Sequence, residues 1–177
     1  MVPVLLLLLL NGGCRNKLSE IAAFDMNDTL PDVTAKNVEF TYSDSAEVQV
    51  MLSGPLMYVY NEKEPYTVFP EGFRVNFYDS LFQITTTITG NYGIHYHEKK
   101  MMEARENVVV TNYETGEVLN TEELIWDRLK KMIFSNKFVK ITSDDGVLFG
   151  DGLEAEQDFS KRRIINPSGE IEVKDDD

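Results

Sequence analysis

The feature that most constrains this 177-residue chain is a two-residue period of apolar side chains that begins near Asp32 and continues almost to the C-terminus. In one example, Val38, Phe40 and Tyr42 alternate with polar residues. Because neighbouring side chains of a strand point to opposite faces, this period predicts strands with one apolar face. Turn residues interrupt it about every ten residues, which predicts an all-β sandwich or open barrel.

Four glycine-, asparagine- or serine-rich segments predict turns between these strands: Ser43–Ser45, Gly90–Gly93, Asp144–Gly146 and Pro167–Gly169. The best helical candidate is Asn120–Lys131. Its β-branched and aromatic residues favour a strand instead. The whole folded part is therefore expected to be β-structure.

The N-terminal sequence MVPVLLLLLLNGGC predicts an export signal. Its apolar run, Val4–Leu10, is shorter than the roughly 20 residues that span a bilayer as a helix. Small residues follow, as at a signal cleavage site. A cysteine directly after them is typical of a bacterial lipoprotein signal, so we expect Cys14 to carry lipid. The alternative is a plain signal peptide with an incidental cysteine, because Asn11 stands where leucine is usual.

These observations divide the chain into four expected parts: a signal peptide over residues 1–13, a lipid anchor and tether over 14–32, a β-domain over 33–173 and an acidic tail over 174–177. Cys14 is the only cysteine, so we expect no internal disulfide. The net charge of −13 argues against nucleic acid or an anionic membrane surface as the main partner.

Motifs that carry chemistry are missing from the sequence: it has no phosphate-binding glycine loop, GxSxG, HExxH or CxxC. His95 and His97 would share a strand face, but no third ligand stands beside them, so surface histidines are favoured over a metal site. Gly150 and Gly152 precede no helix, and they predict a bulge or close backbone approach within a sheet. We therefore expect neither an enzyme nor a bound cofactor.

The chain also resembles a known family, LptC, the periplasmic component of the lipopolysaccharide export machine. The resemblance covers residues 33–173 and is most specific over 105–165. The matching segments are Asn107–Val110, Gly116–Leu119, Leu119–Asp127, Ser135–Ile141 and Gly150–Leu153. The lipoprotein-like start fits a lipid-anchored branch of this family.

The resemblance implies a twisted, partly open β-jelly roll of two antiparallel sheets, with lipopolysaccharide acyl chains in the groove between them. It implies receipt of lipopolysaccharide from an inner-membrane ABC transporter and delivery to an LptA-like periplasmic bridge protein. The expected location is the periplasm, with an N-terminal lipid anchoring the chain to the inner membrane. The alternative function is a lipid-anchored structural or interaction β-domain with a packed core.

The alternation identifies candidate residues for the lipid-binding groove and for the edge that pairs with a partner strand. The candidate lipid-binding groove residues are Val38, Phe40, Val48, Val50, Val75, Phe77, Ile84, Ile88, Val108, Val110, Leu124 and Trp126. The last apolar strands are expected to form the edge that pairs with a partner strand, through Ile164, Ile165, Ile171 and Val173. A register error of one residue would invert the groove assignment.

Overall fold

The computed structural model describes residues 30–61, 63–156 and 161–171. Every helix or strand within these ranges is a β-strand, which confirms the all-β prediction. None of the described residues forms a helix long and apolar enough to cross a bilayer. The strands are β1 Val33–Asp44, β2 Glu47–Tyr60, β3 Tyr66–Phe69, β4 Phe73–Tyr78, β5 Ile84–Gly90, β6 Tyr92–Tyr96, β7 Met101–Asn112, β8 Val118–Asp127, β9 Met132–Ser135, β10 Val139–Ser143, β11 Gly146–Gly150, β12 Gly152–Glu156, β13 Arg162–Ile165 and β14 Ser168–Ile171.

These strands form one antiparallel sheet in which several short strands are halves of a longer bent strand. For example, β3 pairs with residues 58–60 of β2, whereas β4 pairs with residues 50–53 of the same strand. The same division applies to four further pairs of short strands: β5 and β6, β9 and β10, β11 and β12, and β13 and β14. The breaks lie side by side and form a bend line across the sheet.

The bend line separates two half-sheets. Half-sheet 1 contains residues 33–36 of β1, residues 56–60 of β2, β3, β6, residues 101–105 of β7, residues 123–127 of β8, β9, β12 and β13. Half-sheet 2 contains residues 38–44 of β1, residues 47–54 of β2, β4, β5, residues 108–112 of β7, residues 118–121 of β8, β10, β11 and β14.

Backbone conformation and small residues explain the bend. Asn37, Asn107 and Asn166 have positive φ angles at the line, a region in which asparagine is enriched. Gly93 admits the ring of Phe73, because a Cβ atom there would lie 2.7 Å from a ring carbon. The regular pairing between strands is therefore interrupted at the bend line in one strand after another.

Two predicted turns are kinks in this bend line, and their prediction as turns was wrong. β5 and β6, on either side of Asn91, both pair antiparallel with β7, so the chain keeps its direction through Gly90–Gly93. β13 and β14 likewise pair with β12 and β11, so Pro167–Gly169 does not reverse the chain. The predicted turns at Ser43–Ser45 and Asp144–Gly146 are confirmed as hairpins.

The two half-sheets fold toward each other and share one core. Leu124 lies opposite Ala104 in half-sheet 1, and Leu119 lies opposite Val110 in half-sheet 2. All four belong to one cluster of buried apolar residues, so these side chains define the inner face. The two sheets expected from the resemblance are thus two halves of one bent sheet.

The close approach predicted at Gly150 and Gly152 is confirmed. A Cβ atom at Gly152 would lie 2.8 Å from the carbonyl oxygen of Ser135, and one at Gly150 would lie 2.8 Å from that of Ile165. Neighbouring backbone occupies the space that a side chain needs. Glycine is therefore required where β11 passes into β12.

Candidate functional site

Most of the predicted groove residues lie on the inner face. The strand pairing aligns Phe40, Leu52, Val75, Ile88 and Val110 in one row across half-sheet 2. The predicted residues that share this face are Val38, Phe40, Val50, Val75, Phe77, Ile88, Val108 and Val110 in half-sheet 2, and Leu124 and Trp126 in half-sheet 1. Whether any of them contacts lipid stays a prediction.

Two predicted groove residues are not placed on this face by the pairing. Val48 lies beyond a register shift near the β1–β2 turn, and Ile84 lies beyond one near the β4–β5 turn. A bulge redirects the side chains that follow it. Ile84 is 41% exposed and pairs with Tyr78.

The inner face is open at its N-terminal strands. Phe40 is 49% exposed and Tyr42 is 64% exposed, although both follow the apolar alternation of β1. Val50, Val75 and Phe77, on the next strands, are only half-buried. The face thus presents a row of apolar side chains to the surroundings, which costs free energy unless an apolar partner covers it.

The same face is closed at its C-terminal strands. Val139 of β10 is fully buried and Leu153 of β12 is 1% exposed. Near the bend line, the Thr121 hydroxyl donates to the carbonyl oxygen of Phe138 at 3.0 Å and lies 3.1 Å from the Ser135 hydroxyl. These contacts fill the space between the half-sheets with protein.

Between the two ends lies a cavity of about 260 Å³ whose walls come from both half-sheets. Phe77, Val110, Leu119 and Ile141 line it from half-sheet 2, and Leu153 lines it from half-sheet 1. Its volume is below the roughly 300 Å³ at which pockets begin to hold drug-sized ligands. The cavity is therefore too small for a lipid with several acyl chains.

A second, wider cavity of about 630 Å³ lies on the outer side of the bend line. Its lining is largely polar and includes Asn37, Glu39, Arg74, Asn91 and Asn107. Alternation places Glu39 and Arg74 on the face opposite Val38 and Phe73. Val38 and Phe73 of the inner face also border this outer crease.

His95 and His97 lie close together in half-sheet 1, with ring centroids 4.8 Å apart. The Nε2 atom of His97 lies 2.9 Å from the hydroxyl of Thr67. Burial lowers the pKa of His95 to about 4, and the positive charges of His97, Arg128 and Lys100 add to this effect. Among the described residues, no three metal-ligating side chains come together.

The predicted partner-strand residues lie at the C-terminal edge of the sheet. Ile164 and Ile165 belong to β13, which pairs with β12, and Ile171 belongs to β14, which pairs with β11. Within the described ranges, no further strand pairs with β13 or β14. Val173 and Cys14 lie outside the described residues.

The sequence reasoning missed several inner-face residues. Leu52, Leu119, Ile141 and Leu148 occupy the same row of half-sheet 2 as the predicted groove residues. Alternation would have identified Leu52, Ile141 and Leu148, which belong to the segments that it marked as strands. Leu119 was missed for a different reason. In β8 the inward-facing positions shift by one residue between Thr121 and Leu124, so one alternating pattern cannot include both.

The fold and the site define a class of all-β protein in which one bent antiparallel sheet presents an accessible apolar inner face. The family model described as lipopolysaccharide-assembly, LptC-related, matches residues 3–166 of the chain. The chain therefore belongs to the LptC family, and it takes part in lipopolysaccharide transport. A search of curated proteins finds no match.

Proposed function

We propose that this protein accepts lipopolysaccharide from an inner-membrane ABC transporter and passes it to an LptA-like bridge protein in the periplasm. The observation that carries the proposal is the open N-terminal part of the inner face. There, Phe40, Val75 and Phe77 form an apolar surface that the described residues cover only in part. Acyl chains of lipopolysaccharide lie on this surface.

The energetics suit a passive carrier. Burial of an acyl chain is worth about 0.8 kcal/mol per CH₂ group in any apolar groove. Transfer between two similar grooves is therefore nearly isoenergetic, and its direction comes from ATP hydrolysis by the transporter. A carrier of this kind requires no catalytic residue of its own.

The charge of the protein decides which part of the cargo it binds. Lipopolysaccharide is anionic, and this chain has a net charge of −13, so long-range electrostatics oppose binding. The affinity thus comes from the acyl chains, while the head groups stay at the rim near local lysine and arginine side chains.

The C-terminal edge is the proposed exit. The outer backbone groups of β13 and β14 pair with a strand of the bridge protein, as in other cases of strand addition. Ile164 and Ile165 of β13 and Ile171 of β14 belong to this edge. Val173, outside the described residues, is proposed to extend it. Pairing would extend the inner face of one protein into that of the next.

The N-terminal part supplies the location. Signal cleavage before Cys14 and acylation of its thiol anchor the protein to the periplasmic side of the inner membrane. Two or more acyl chains give stable anchoring, whereas one gives only weak binding. Residues 15–32 then serve as the tether, and residues 33–173 as the transport domain.

A photocrosslinking scan tests the proposal. Benzoylphenylalanine replaces Phe40 or Val75 on the inner face, and it replaces the neighbours Thr41 or Asn76 on the outer face as matched controls. We expect irradiation of cells to capture lipopolysaccharide at Phe40 and Val75 and little at Thr41 and Asn76. The alternation of strand side chains makes each pair a test of register as well as of ligand.

Two outcomes would contradict the proposal. Equal capture at inner and outer positions would show that contact with lipid is unspecific. Silence at all four positions would favour the alternative, a structural β-domain. Depletion of the protein supplies an independent measurement, because lipopolysaccharide should then accumulate at the inner membrane.

A further inference from the structure

One ion pair joins the two half-sheets at the side away from the bend line. Two guanidinium nitrogens of Arg162, at the start of β13, donate to the two carboxylate oxygens of Glu117, each at 2.5 Å. Glu117 directly precedes β8 in half-sheet 2, and the two residues are 45 positions apart in sequence. A bidentate pair of this kind fixes both distance and orientation.

The ion pair stabilises the charged forms of both side chains. The hydrogen bond from Arg162 holds the pKa of Glu117 below its usual value, although partial burial opposes this effect. The same contact raises the pKa of Arg162. Both side chains remain partly accessible, at 39% for Arg162 and 24% for Glu117. The pair is therefore formed at the protein surface and not in the core.

Its position matters because both residues also line the small cavity between the half-sheets. On one side of this cavity the inner face is open at Phe40 and Val75. On the other side lie β11 to β14, including the proposed exit edge. An acyl chain that moves along the inner face meets the pair where it reaches that edge, because Arg162 belongs to β13.

We infer that Arg162 and Glu117 form a clasp that closes the groove at its exit end and opens when an acyl chain passes toward β13 and β14. This inference rests on the proposed function, since it concerns the path of the cargo within the protein. The clasp holds the half-sheets at a separation that leaves room for only about 260 Å³. Arg162 and Glu117 thus act as positioning residues for the groove.

The chemistry of the clasp allows it to open. Partly exposed ion pairs exchange readily with water, and they contribute little net stability. Separation of the half-sheets at this side bends the sheet at its bend line and leaves the pairing within each half-sheet intact. No core side chain has to enter water, provided that an acyl chain takes the vacated space.

A neighbouring ion pair provides the matched control. Arg163 donates to Glu154 at 2.6 Å, one residue further along β13. These two side chains lie opposite each other on adjacent strands of half-sheet 1, so the pair does not cross between the half-sheets. It carries the same charges as the clasp and is more exposed, at 69% for Arg163 and 46% for Glu154, but it makes no connection between the half-sheets.

The test measures lipopolysaccharide behind the clasp in the full-length chain. Benzoylphenylalanine at Leu148 of β11 reports cargo at the exit end, and benzoylphenylalanine at Phe40 reports cargo at the open end. In Glu117→Gln, we expect capture at Leu148 to rise several-fold while capture at Phe40 is unchanged. The charge swap Glu117→Arg with Arg162→Glu should return capture toward the wild-type level, and Glu154→Gln should have no effect.

The inference is overturned if Glu117→Gln leaves capture at Leu148 unchanged, or if Glu154→Gln raises it equally. Absence of capture at Phe40 in the wild type would instead contradict the proposed function. In that case the clasp is judged without lipid, by the distance between spin labels at Thr115→Cys and Lys161→Cys. A broader, longer distance distribution in Glu117→Gln supports the clasp, and an unchanged distribution refutes it.

Discussion

The N-terminal and C-terminal strands carry the same apolar alternation but differ in what covers it. On β1, Phe40 is 49% exposed, whereas on β10 the inward residue of the same row, Ile141, is 6% exposed. Both positions belong to the inner face of the same half-sheet. The difference arises from contact with half-sheet 1, which is close at β10 and incomplete at β1.

This comparison shows that facing inward and being buried are separate properties. A two-residue period assigns a side chain to a face of a strand. Whether another part of the protein covers that face depends on how far the two half-sheets close. The open strands are therefore candidates for ligand contact, and the closed strands are candidates for stability.

The largest expected difference is between core and groove truncations. Leu153→Ala should lower the free energy of unfolding by about 2–5 kcal/mol, because it leaves a cavity in a packed region. Phe40→Ala should change it by less than about 1 kcal/mol, because the ring is half exposed, and it should reduce lipopolysaccharide capture at Val75. Urea denaturation measures both changes. Equal losses of stability would mean that the inner face is packed as tightly at Phe40 as at Leu153.

Glycine substitutions sharpen the comparison at the bend line. Gly152→Ala places a Cβ atom 2.8 Å from the backbone oxygen of Ser135, which cannot move easily, so we expect a loss of about 1–3 kcal/mol. Gly54→Ala approaches the ring of Phe69 at the same distance, and a side-chain ring can shift more easily than strand backbone. We therefore expect a smaller loss for Gly54→Ala in chemical denaturation. The reverse order would indicate that the N-terminal bend is the more rigid one.

Two buried threonines offer a smaller contrast. Thr121→Val removes the hydrogen bond to Phe138 and leaves buried polar groups without it, so we expect a loss of about 1–2 kcal/mol. Thr87→Val removes a 2.9 Å hydrogen bond to Asn76, a half-buried side chain that water can reach. Its loss should be smaller by thermal and urea unfolding. Equal losses would mean that the hydrogen bond of Thr87 is shielded from water as well as that of Thr121.

A further expected effect concerns pH. Burial lowers the pKa of His95 to about 4 from its ordinary value of 6.5, so the unfolded chain binds a proton over this interval while the folded chain does not. The free energy of unfolding should thus decrease as the pH is lowered from about 6.5 toward 4. In His95→Gln this slope should be shallower, as urea titrations at successive pH values would show. An unchanged slope would mean that half-sheet 1 is open at β6, as half-sheet 2 is at β1.

The sequence predicted faces well because strand geometry is local. Phe40, Val75 and Val110 were assigned to one face from alternation alone, and the strand pairing places them in one row. The glycine pair at Gly150 and Gly152 was likewise understood from the need for close backbone approach. The strand at residues 120–127 followed from β-branched and aromatic composition.

The bend line and the clasp could not be predicted in this way. At the bend, β8 shifts its inward positions from Leu119 and Thr121 to Leu124 and Trp126, and a single alternating register cannot contain both sets. The kink at Asn91 has the composition of a turn, and only the pairing of β5 and β6 with β7 distinguishes the two. Glu117 and Arg162 meet across 45 residues, and nothing local in the sequence connects them.

The bend line has a mechanical consequence. The strands cross the bend line and keep their backbone hydrogen bonds on both sides of it. A change in the angle between the half-sheets would therefore change the enclosed volume without breaking the hydrogen bonds between paired strands. We expect amide hydrogen exchange to stay slow in β7 and β8 while the enclosed volume varies. On the proposed function, this would let one protein hold cargo molecules that differ in the number and length of their chains.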